Sequence, residues 1–424
     1  MLKEIKLTNW KSFGETSLFI DPLTVIIGLN ASGKSNALDA LEFLRRTALG
    51  LDFSAALGGD TRFFPLRGGI ELASRIGTGW FTLECLVENQ LQKKDYRYSL
   101  SIAISGSRPE LLAESLRSAD HEPVPGQTSE TILFKAEFSD TAYGVNIATI
   151  PDARNESGWT ELRDVRVSNS VLSQLVSGRP AFNHVNTGVQ QVFTALRDIF
   201  ILDPSPSRMR AYVPLAETLL SDGSNTAGVL AALEQPARAQ VEQSFSEYLS
   251  RFAERDILKI WAEPVGKFKQ DAMLYCREQW VADQMPTEVD ARGMSDGTLR
   301  IVAILTALMT RPQGSLLVIE EVDNGLHPSR ARLLLEMLKR VATERGIDVL
   351  VTTHNVALLD ALGPDMLPFV QAAHRDPKTG GTLLTPIQDL SDLPKLLAVA
   401  PLGRLASQGL LEKSLSRDAE ESSS

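Results

Sequence analysis

Residues 23–49 read LTVIIGLNASGKSNALDALEFLRRTAL, and this stretch decides the fold. Leu23–Ile27 is an unbroken apolar run rich in β-branched residues, as a strand buried on both faces requires. From Ser35 to Leu49 apolar residues recur every three or four positions, which predicts an amphipathic helix. Between strand and helix lies GLNASGKS, residues 28–35, a match to GxxxxGK[ST]. Gly28 and Gly33 permit the tight backbone that turns its N–H groups inward on a phosphate chain. The helix that follows adds free N–H donors and the positive end of its dipole. Lys34 is expected to reach the β- and γ-phosphates, and the Ser35 hydroxyl to ligate Mg²⁺. Asn30, Ala31, Ser32 and Asn36 complete the expected phosphate-binding set.

Working outward, residues 2–8 and Thr16–Ile20 read as short strands. Trp80–Val87, Tyr96–Ile104 and Thr131–Phe138 read as further strands, separated by polar connections at 106–109 and 121–127. An antiparallel sheet in a first lobe, residues 1–160, follows. Helical spacing at Val171–Leu175, Val189–Phe200 and Val229–Phe252, interrupted at Pro236, predicts a mainly helical insertion over 161–290. Residues 291–415 read as a second α/β lobe: helix Leu299–Met309, buried strand Ser315–Ile319, helix Ser329–Arg345 and buried strand Asp348–Thr352. The polar SRDAEESSS at 416–424 is expected to be a disordered tail. No heptad pattern or internal repeat is present.

Three further segments carry chemistry. Residues 316–321, LLVIEE, end an apolar run in two carboxylates. A phosphate-loop enzyme needs one acid for its metal and a second to orient and polarise the attacking water. Glu320 falls in the first position and Glu321 in the second. Residues 293–300, GMSDGTLR, place Ser, Asp and Gly just before a helix, which is an anion site by the same N–H and dipole logic. One chain has no evident use for two such ends in one site. Ser295 and Gly297 are therefore expected to close on the γ-phosphate held by another copy. His354, after the DVLVTT strand, is placed to hydrogen-bond a γ-phosphate.

The order of these motifs resembles ATPases with ABC-type heads, in particular the SMC/RecF-like group and the related OLD-type and bacterial-defence ATPases. NWKSFGE at 9–15 resembles the family's N-terminal strand, which implies that Lys11 and Ser12 lie near the nucleotide. GMSDGTLR resembles the signature segment. LLVIEEVDNGLHP resembles Walker B and the D-loop, with Glu320 where Asp is usual and His327 where many relatives place Asp. VTTHN resembles the switch-histidine segment, and 200–210 and 219–233 resemble stretches of small AAA-type ATPases of this group. The resemblance implies a P-loop NTPase fold, α/β in class: an ABC-ATPase-like head with a mixed sheet, an antiparallel β lobe and a helical insertion. It also implies ATP and Mg²⁺ as ligands and a head-to-tail homodimer or higher oligomer with ATP between the copies. Glu321, His354 and Lys34 would be catalytic, and Ser35 and Glu320 would hold the metal. A glutamine contacting Mg²⁺ is expected between the lobes; Gln90 and Gln92 are the nearest candidates.

Composition narrows what such an ATPase serves. The 424 residues carry a formal net charge of −10, which gives no general attraction to nucleic acid. The two cysteines, Cys85 and Cys276, have no metal-ligand spacing and read as reduced thiols. No apolar run reaches a membrane span, and the start lacks a signal-peptide pattern, so a cytoplasmic protein without membrane contact is expected. One reading is a defence ATPase that controls a separately encoded effector protein, a nuclease being the commonest kind. The short stretch after His354 carries no convincing DxD cluster, so a nuclease is expected as a separate partner and not as a fused domain. The alternative is a RecF-like DNA repair and recombination clamp, for which the scattered arginines of 163–210 are the sequence argument. A transport ATPase fits less well, given the long insertion between Ser35 and Gly293. A non-hydrolysing ATP-sensing scaffold is the reading outside enzymes.

Overall fold

The alternation of β3 explains its unbroken apolar sequence. Leu23, Val25 and Ile27 enter one hydrophobic core and Ile26 enters a second. A sheet lies between the two cores, so both faces of its strands are apolar. The computed structural model describes residues 1–121, 130–137, 148–151, 159–162, 165–178, 183–252, 257–279 and 285–422.

The chain begins β1 (Leu2–Thr8), β2 (Glu15–Phe19), β3 (Leu23–Ile27), α1 (Lys34–Ala48) and α2 (Phe53–Gly58). It continues with β4 (Trp80–Asn89), β5 (Lys94–Ser105), β6 (Arg108–Asp120), β7 (Glu130–Glu137), β8 (Ala148–Pro151) and β9 (Trp159–Leu162). Then come α3 (Val171–Gly178), α4 (Asn183–Arg197), β10 (Phe200–Leu202), β11 (Val213–Pro214), α5 (Thr226–Ala232), α6 (Ala237–Phe252), β12 (Ile257–Val265), β13 (Asp271–Glu278) and β14 (Thr287–Asp290). The last part holds α7 (Asp296–Thr310), β15 (Leu316–Ile319), α8 (Ala331–Arg345), β16 (Asp348–Thr353), α9 (Val356–Ala361), β17 (Val370–Arg375), β18 (Thr382–Pro386), α10 (Leu393–Val399), α11 (Leu402–Ser407) and α12 (Leu410–Ser422).

Among the described residues these strands form three sheets. The central one has the order β10-β15-β16-β3-β17-β18, parallel except for β18. Its strands from both ends of the chain repeat the alternation of β3: Leu317 and Ile319 of β15 and Val349 and Val351 of β16 enter one core, and Leu316, Val318 and Leu350 the other. An antiparallel sheet of order β2-β1-β4-β5-β6-β7-β8-β9 forms the first lobe. Trp10, Phe43 and Phe81 join it to α1, with the Trp10 and Phe81 rings 4.9 Å apart edge to face. The third sheet pairs β11, β12 and β14 with β13.

The structure corrects three expectations. The segment 161–290 is not mainly helical: β10 joins the central sheet and β11–β14 form a sheet of their own. Residues 108–120 are a full strand that the sequence pattern hides. The C-terminal segment is no tail, because α12 runs through Ser422 and the Asp418 carboxylate accepts from Ser391 N at 2.9 Å. Of the strand expected at Thr131–Phe138, residue 138 lies outside the described residues, as do much of the 121–127 connection and Ser423 and Ser424. Both cysteines are free and buried. No helix among the described residues is long and apolar enough to cross a membrane.

Candidate functional site

The C-terminal ends of β3, β15, β16 and β17 lie side by side, and each delivers part of one cleft. After β3 the loop curls through Gly28 (φ 145°), Ala31 (φ 63°) and Gly33 (φ 108°). A Cβ on Gly28 would stand 2.4 Å from the Ala373 carbonyl oxygen, and one on Gly33 2.7 Å from the Thr382 side chain, so both positions need glycine for space as well as for φ. Gly33 also gives α1 no side-chain cap, and the first turn of α1 holds no acid. The N–H groups at this helix end are thus left for an external acceptor.

Lys34 is only 9% exposed and donates to the carbonyls of Gly28 (2.6 Å) and Leu29 (2.9 Å). Burial lowers its pKa, and the Glu321 and Glu320 carboxylates work in the opposite direction. Ser35 Oγ donates to Glu320 Oε1 at 2.7 Å. Two hard oxygens at that spacing suit Mg²⁺, whose neighbouring octahedral ligands sit about 2.9 Å apart. Glu320 thus reaches the Ser35 hydroxyl despite its extra methylene. Among the described residues no group of three His, Cys, Asp or Glu side chains could hold a metal unaided.

Glu321 adopts φ 46°, a left-handed backbone that is uncommon for a non-glycine residue. Its N–H donates to Thr352 Oγ1 at 2.9 Å, and its carboxylate accepts from Asn324 Nδ2. Its other oxygen lies 3.7 Å from His354 Nδ1. The cleft enclosed by residues 30–36, Glu320, Glu321, Thr352 and Arg375 has a volume of about 300 Å³.

Several expected residues lie outside this cleft, among them His354, which lines the hollow on the other side of the phosphate loop. Lys11 Nζ donates to Asp39 Oδ2 (2.5 Å) on α1 and to the Arg67 carbonyl (2.6 Å), and burial lowers its pKa against the pull of Asp39. It braces the cleft from behind and does not line it. The Ser12 hydroxyl accepts from Asn36 Nδ2 at 2.8 Å and from Thr382 Oγ1 at 2.9 Å, which fixes the start of α1 against β18. Ser295 caps α7 by accepting from Thr298 N at 3.1 Å. Gly297 packs so closely on the segment after β15 that a Cβ would stand 2.7 Å from the Gly325 carbonyl oxygen. Neither Ser295 nor Gly297 lines the cleft of its own chain. Gln90 and Gln92 are exposed in the turn between β4 and β5 and do not line it either. His327 bonds locally to Ser329 at 2.8 Å.

The structure adds residues that the sequence did not single out. Arg67 donates to Glu320 Oε2 at 2.6 Å and to the Ser35 carbonyl at 3.3 Å, so a cation stands beside the metal position. Arg375, at the end of β17, donates to the Ala31 carbonyl at 3.4 Å. Asp203, after β10, is a third acid at this end of the sheet; burial raises its pKa while Arg300, 3.9 Å away, lowers it. Arg67 stands in FFPLRGG and Arg375 in AAHRD, and neither stretch carries a local signal of a site. Of the arginines in 163–210, Arg197, Arg208 and Arg210 pair with Asp198, Asp222 and Asp296. Arg163 and Arg179 lie outside the described residues.

Two family models and several curated proteins match parts of this chain. Residues 1–104 match the family model described as "AAA ATPase domain". Residues 211–360 match one described as "AAA domain, putative AbiEii toxin, Type IV TA system". An "ATP/GTP phosphatase" of Helicobacter pylori is 21% identical over 371 residues, covering 85% of this chain and 87% of that protein. The methionine import ATP-binding protein MetN of Corynebacterium jeikeium is 26% identical over 159 residues, covering 36% of this chain and only 42% of its own length. Among solved structures, an SMC head bound to the C-winged helix domain of ScpA aligns with TM-score 0.46 and 10% identity over 91% of this chain and 96% of that one. The SMC head domain from Thermotoga maritima aligns with TM-score 0.41 and 14% identity over 91% of this chain and 98% of that one. The chain is thus similar to AAA-type ATPases over residues 1–104 and 211–360, and along most of its length to an ATP/GTP phosphatase.

Proposed function

We propose that this ATPase works as a head-to-tail homodimer in the bacterial cytoplasm, binding and hydrolysing ATP between the phosphate loop of one copy and the Ser295–Gly297 loop of the other. The observation that carries this reading is the separation of the two anion-binding loops within one chain. Ser295 and Gly297 lie off the cleft of their own copy, on a helix N-terminus that a phosphate from elsewhere can meet.

Within the cleft, Lys34 would exchange the Gly28 and Leu29 carbonyls for phosphate oxygens, a stronger charge-assisted contact. Ser35 and Glu320 would hold Mg²⁺, which supplies charge neutralisation on the phosphates. Arg67 would have to release at least part of its hold on Glu320 as that happens. Glu321, kept in place by Thr352 and Asn324, would accept the proton of the attacking water, and His354 would hydrogen-bond the γ-phosphate.

The biological role we propose is control of a separately encoded effector, such as a nuclease or toxin, in anti-phage defence. The toxin–antitoxin wording of the family model over 211–360 supports it. The carboxylate pairing of Arg197, Arg208 and Arg210 weakens the case for a RecF-like DNA clamp.

The test uses Glu321→Gln with ATP and Mg²⁺. Phosphate release should vanish while light scattering detects a dimer that dissolves when ATP is removed. A variant that stays monomeric at saturating ATP defeats the dimer reading. Purified from its host in the trapped state, the variant should bring down a protein; duplex DNA alone would put the clamp in its place.

A further inference from the structure

Residues 200–210, FILDPSPSRMR, run from the catalytic end of the central sheet to the loop before α7. β10 pairs with β15, and the Leu202 carbonyl accepts from Glu320 N at 3.2 Å. Beyond it, Asp203 N and Ser205 N donate to the Ser221 and Asp222 carbonyls at 2.8 Å each, Arg208 pairs with the Asp222 carboxylate at 3.1 Å, and Met209 is buried in the core. These anchors deliver Arg210 to residues 291–296. Its Nη1 donates to the carbonyls of Ala291 (3.0 Å), Arg292 (3.1 Å) and Met294 (2.8 Å), and its Nη2 to Asp296 Oδ1 (2.5 Å). Exposed ion pairs are worth little. Here the Arg210 side chain is only 27% exposed, and one planar guanidinium gathers three carbonyls as well as the carboxylate.

A loop that receives a phosphate has to offer N–H groups and keep its oxygens away. The first N–H groups of α7 have no acceptor inside the helix, and Ser295 Oγ serves that of Thr298. Asp296, in the first turn, is itself an anion at this helix end and repels any other. Arg210 draws that carboxylate and the carbonyls of the loop onto one cation. We propose that Arg210 is a positioning residue for the second half of the ATP site: by holding the negative ends of residues 291–296 on its guanidinium, it lets the N-terminus of α7 accept the γ-phosphate of another copy. The inference rests on the dimer proposed above and names what makes the Ser295–Gly297 loop fit for an anion.

The test is a double-mutant cycle in the Glu321→Gln chain with ATP and Mg²⁺, the dimer constant being read by sedimentation. Arg210→Gln should weaken the dimer at least about tenfold, while the single chain, diluted below the dimer constant, binds ATP as its parent does. Asp296→Asn, worth about two- to fivefold beside Arg210, should restore about tenfold in the Arg210→Gln chain, where the carboxylate has lost its cation. Without nucleotide, hydrogen exchange over 291–297 should be faster in Arg210→Gln than in the parent. Thermal melts check folding. If Arg210→Gln does not fold, Arg210→Lys, which keeps the charge and loses the planar fork, should speed exchange and weaken the dimer several-fold while leaving Asp296→Asn its small effect. A parent that stays monomeric with ATP defeats the dimer reading and this inference together. With a parent that dimerises, four results defeat the inference alone: an Arg210→Gln dimer as tight as the parent's, an equal effect of Asp296→Asn with and without Arg210, unchanged exchange over 291–297, or a matching loss of ATP affinity in the single chain.

Discussion

Two helix N-termini in this molecule show what an anion site looks like filled from within and left open. At α3, the buried Glu114 carboxylate of β6 accepts from Val171 N (2.6 Å), Leu172 N (2.8 Å), Ser170 Oγ (2.8 Å) and Tyr98 OH (2.9 Å). The chain supplies its own anion there. At α1 the cap is a glycine, the first turn holds no acid, and the nearby lysine is parked on carbonyls. On the proposed function, a phosphate chain would bring to α1 what Glu114 brings to α3. The end of α7 stands between the two: Ser295 serves one N–H, and the acidic Asp296 is held at 2.5 Å by Arg210.

The contrast can be broken at each end. The largest effect belongs to Lys34→Ala, which should weaken ATP binding by at least about a hundredfold, read by nucleotide titration, and reduce phosphate release to background. Unchanged affinity would mean that the α1 end is not the phosphate site.

Glu114→Ala should cost about 2–3 kcal/mol in urea unfolding, since it strips four donors of their acceptor. Burial pushes the Glu114 carboxyl up to about 6 from its ordinary 4.5. The folded state therefore holds this proton more tightly than the unfolded state. Stability drawn from this group is full below pH 4.5 and falls as pH rises to 6, by about 2 kcal/mol. Glu114→Gln should flatten that slope; a slope that persists in the variant assigns the titration to another group.

Gly297→Ala should leave ATP binding by the single chain unchanged. Its Cβ, 2.7 Å from the Gly325 carbonyl oxygen, should shift the loop and slow phosphate release about ten- to a hundredfold. A parallel loss of nucleotide affinity would place Gly297 in its own chain's site. The smallest effect is expected from Asp296→Asn. Removing an acid from the first turn of α7 is worth about 0.3–1 kcal/mol toward an incoming phosphate. It should tighten the ATP-dependent dimer about two- to fivefold in sedimentation experiments.

What the sequence revealed and what it hid divide along a physical line. The β3–loop–α1 unit was legible because its signals are local: a run apolar on both faces, glycines at the turns, then helical spacing. LLVIEE and VTTHN were legible for the same reason, since each ends a doubly buried strand. β6 was hidden because its inward positions run Pro109, Leu111, then Glu114, Leu116 and Ser118, with a slip in phase where the pairing with β5 shifts between Ser101 and Ile102. One of those inward residues is a glutamate, three of whose four partners are 56 to 58 residues away. α12 was read as a tail from its charge, yet its Asp418 meets Ser391 and its Arg417 meets Asp392. Arg67 could not be found because its roles, beside Glu320 and over the Ser35 carbonyl, exist only once strands from opposite ends of the chain lie together.

The central sheet also sets a timetable. β3 ends at Ile27, but its sheet neighbours β16 and β17 begin only at Asp348 and Val370 and so leave the ribosome much later. At roughly 5–20 residues per second, the apolar LTVII run and the glycine loop behind it wait on the order of 15–60 s with both sheet edges unpaired. The antiparallel lobe, complete much earlier, can cover only one of their two faces. A nascent chain of this kind is a client for whatever shields exposed strands during synthesis, and its phosphate loop takes shape only after β16 and β17 have been made.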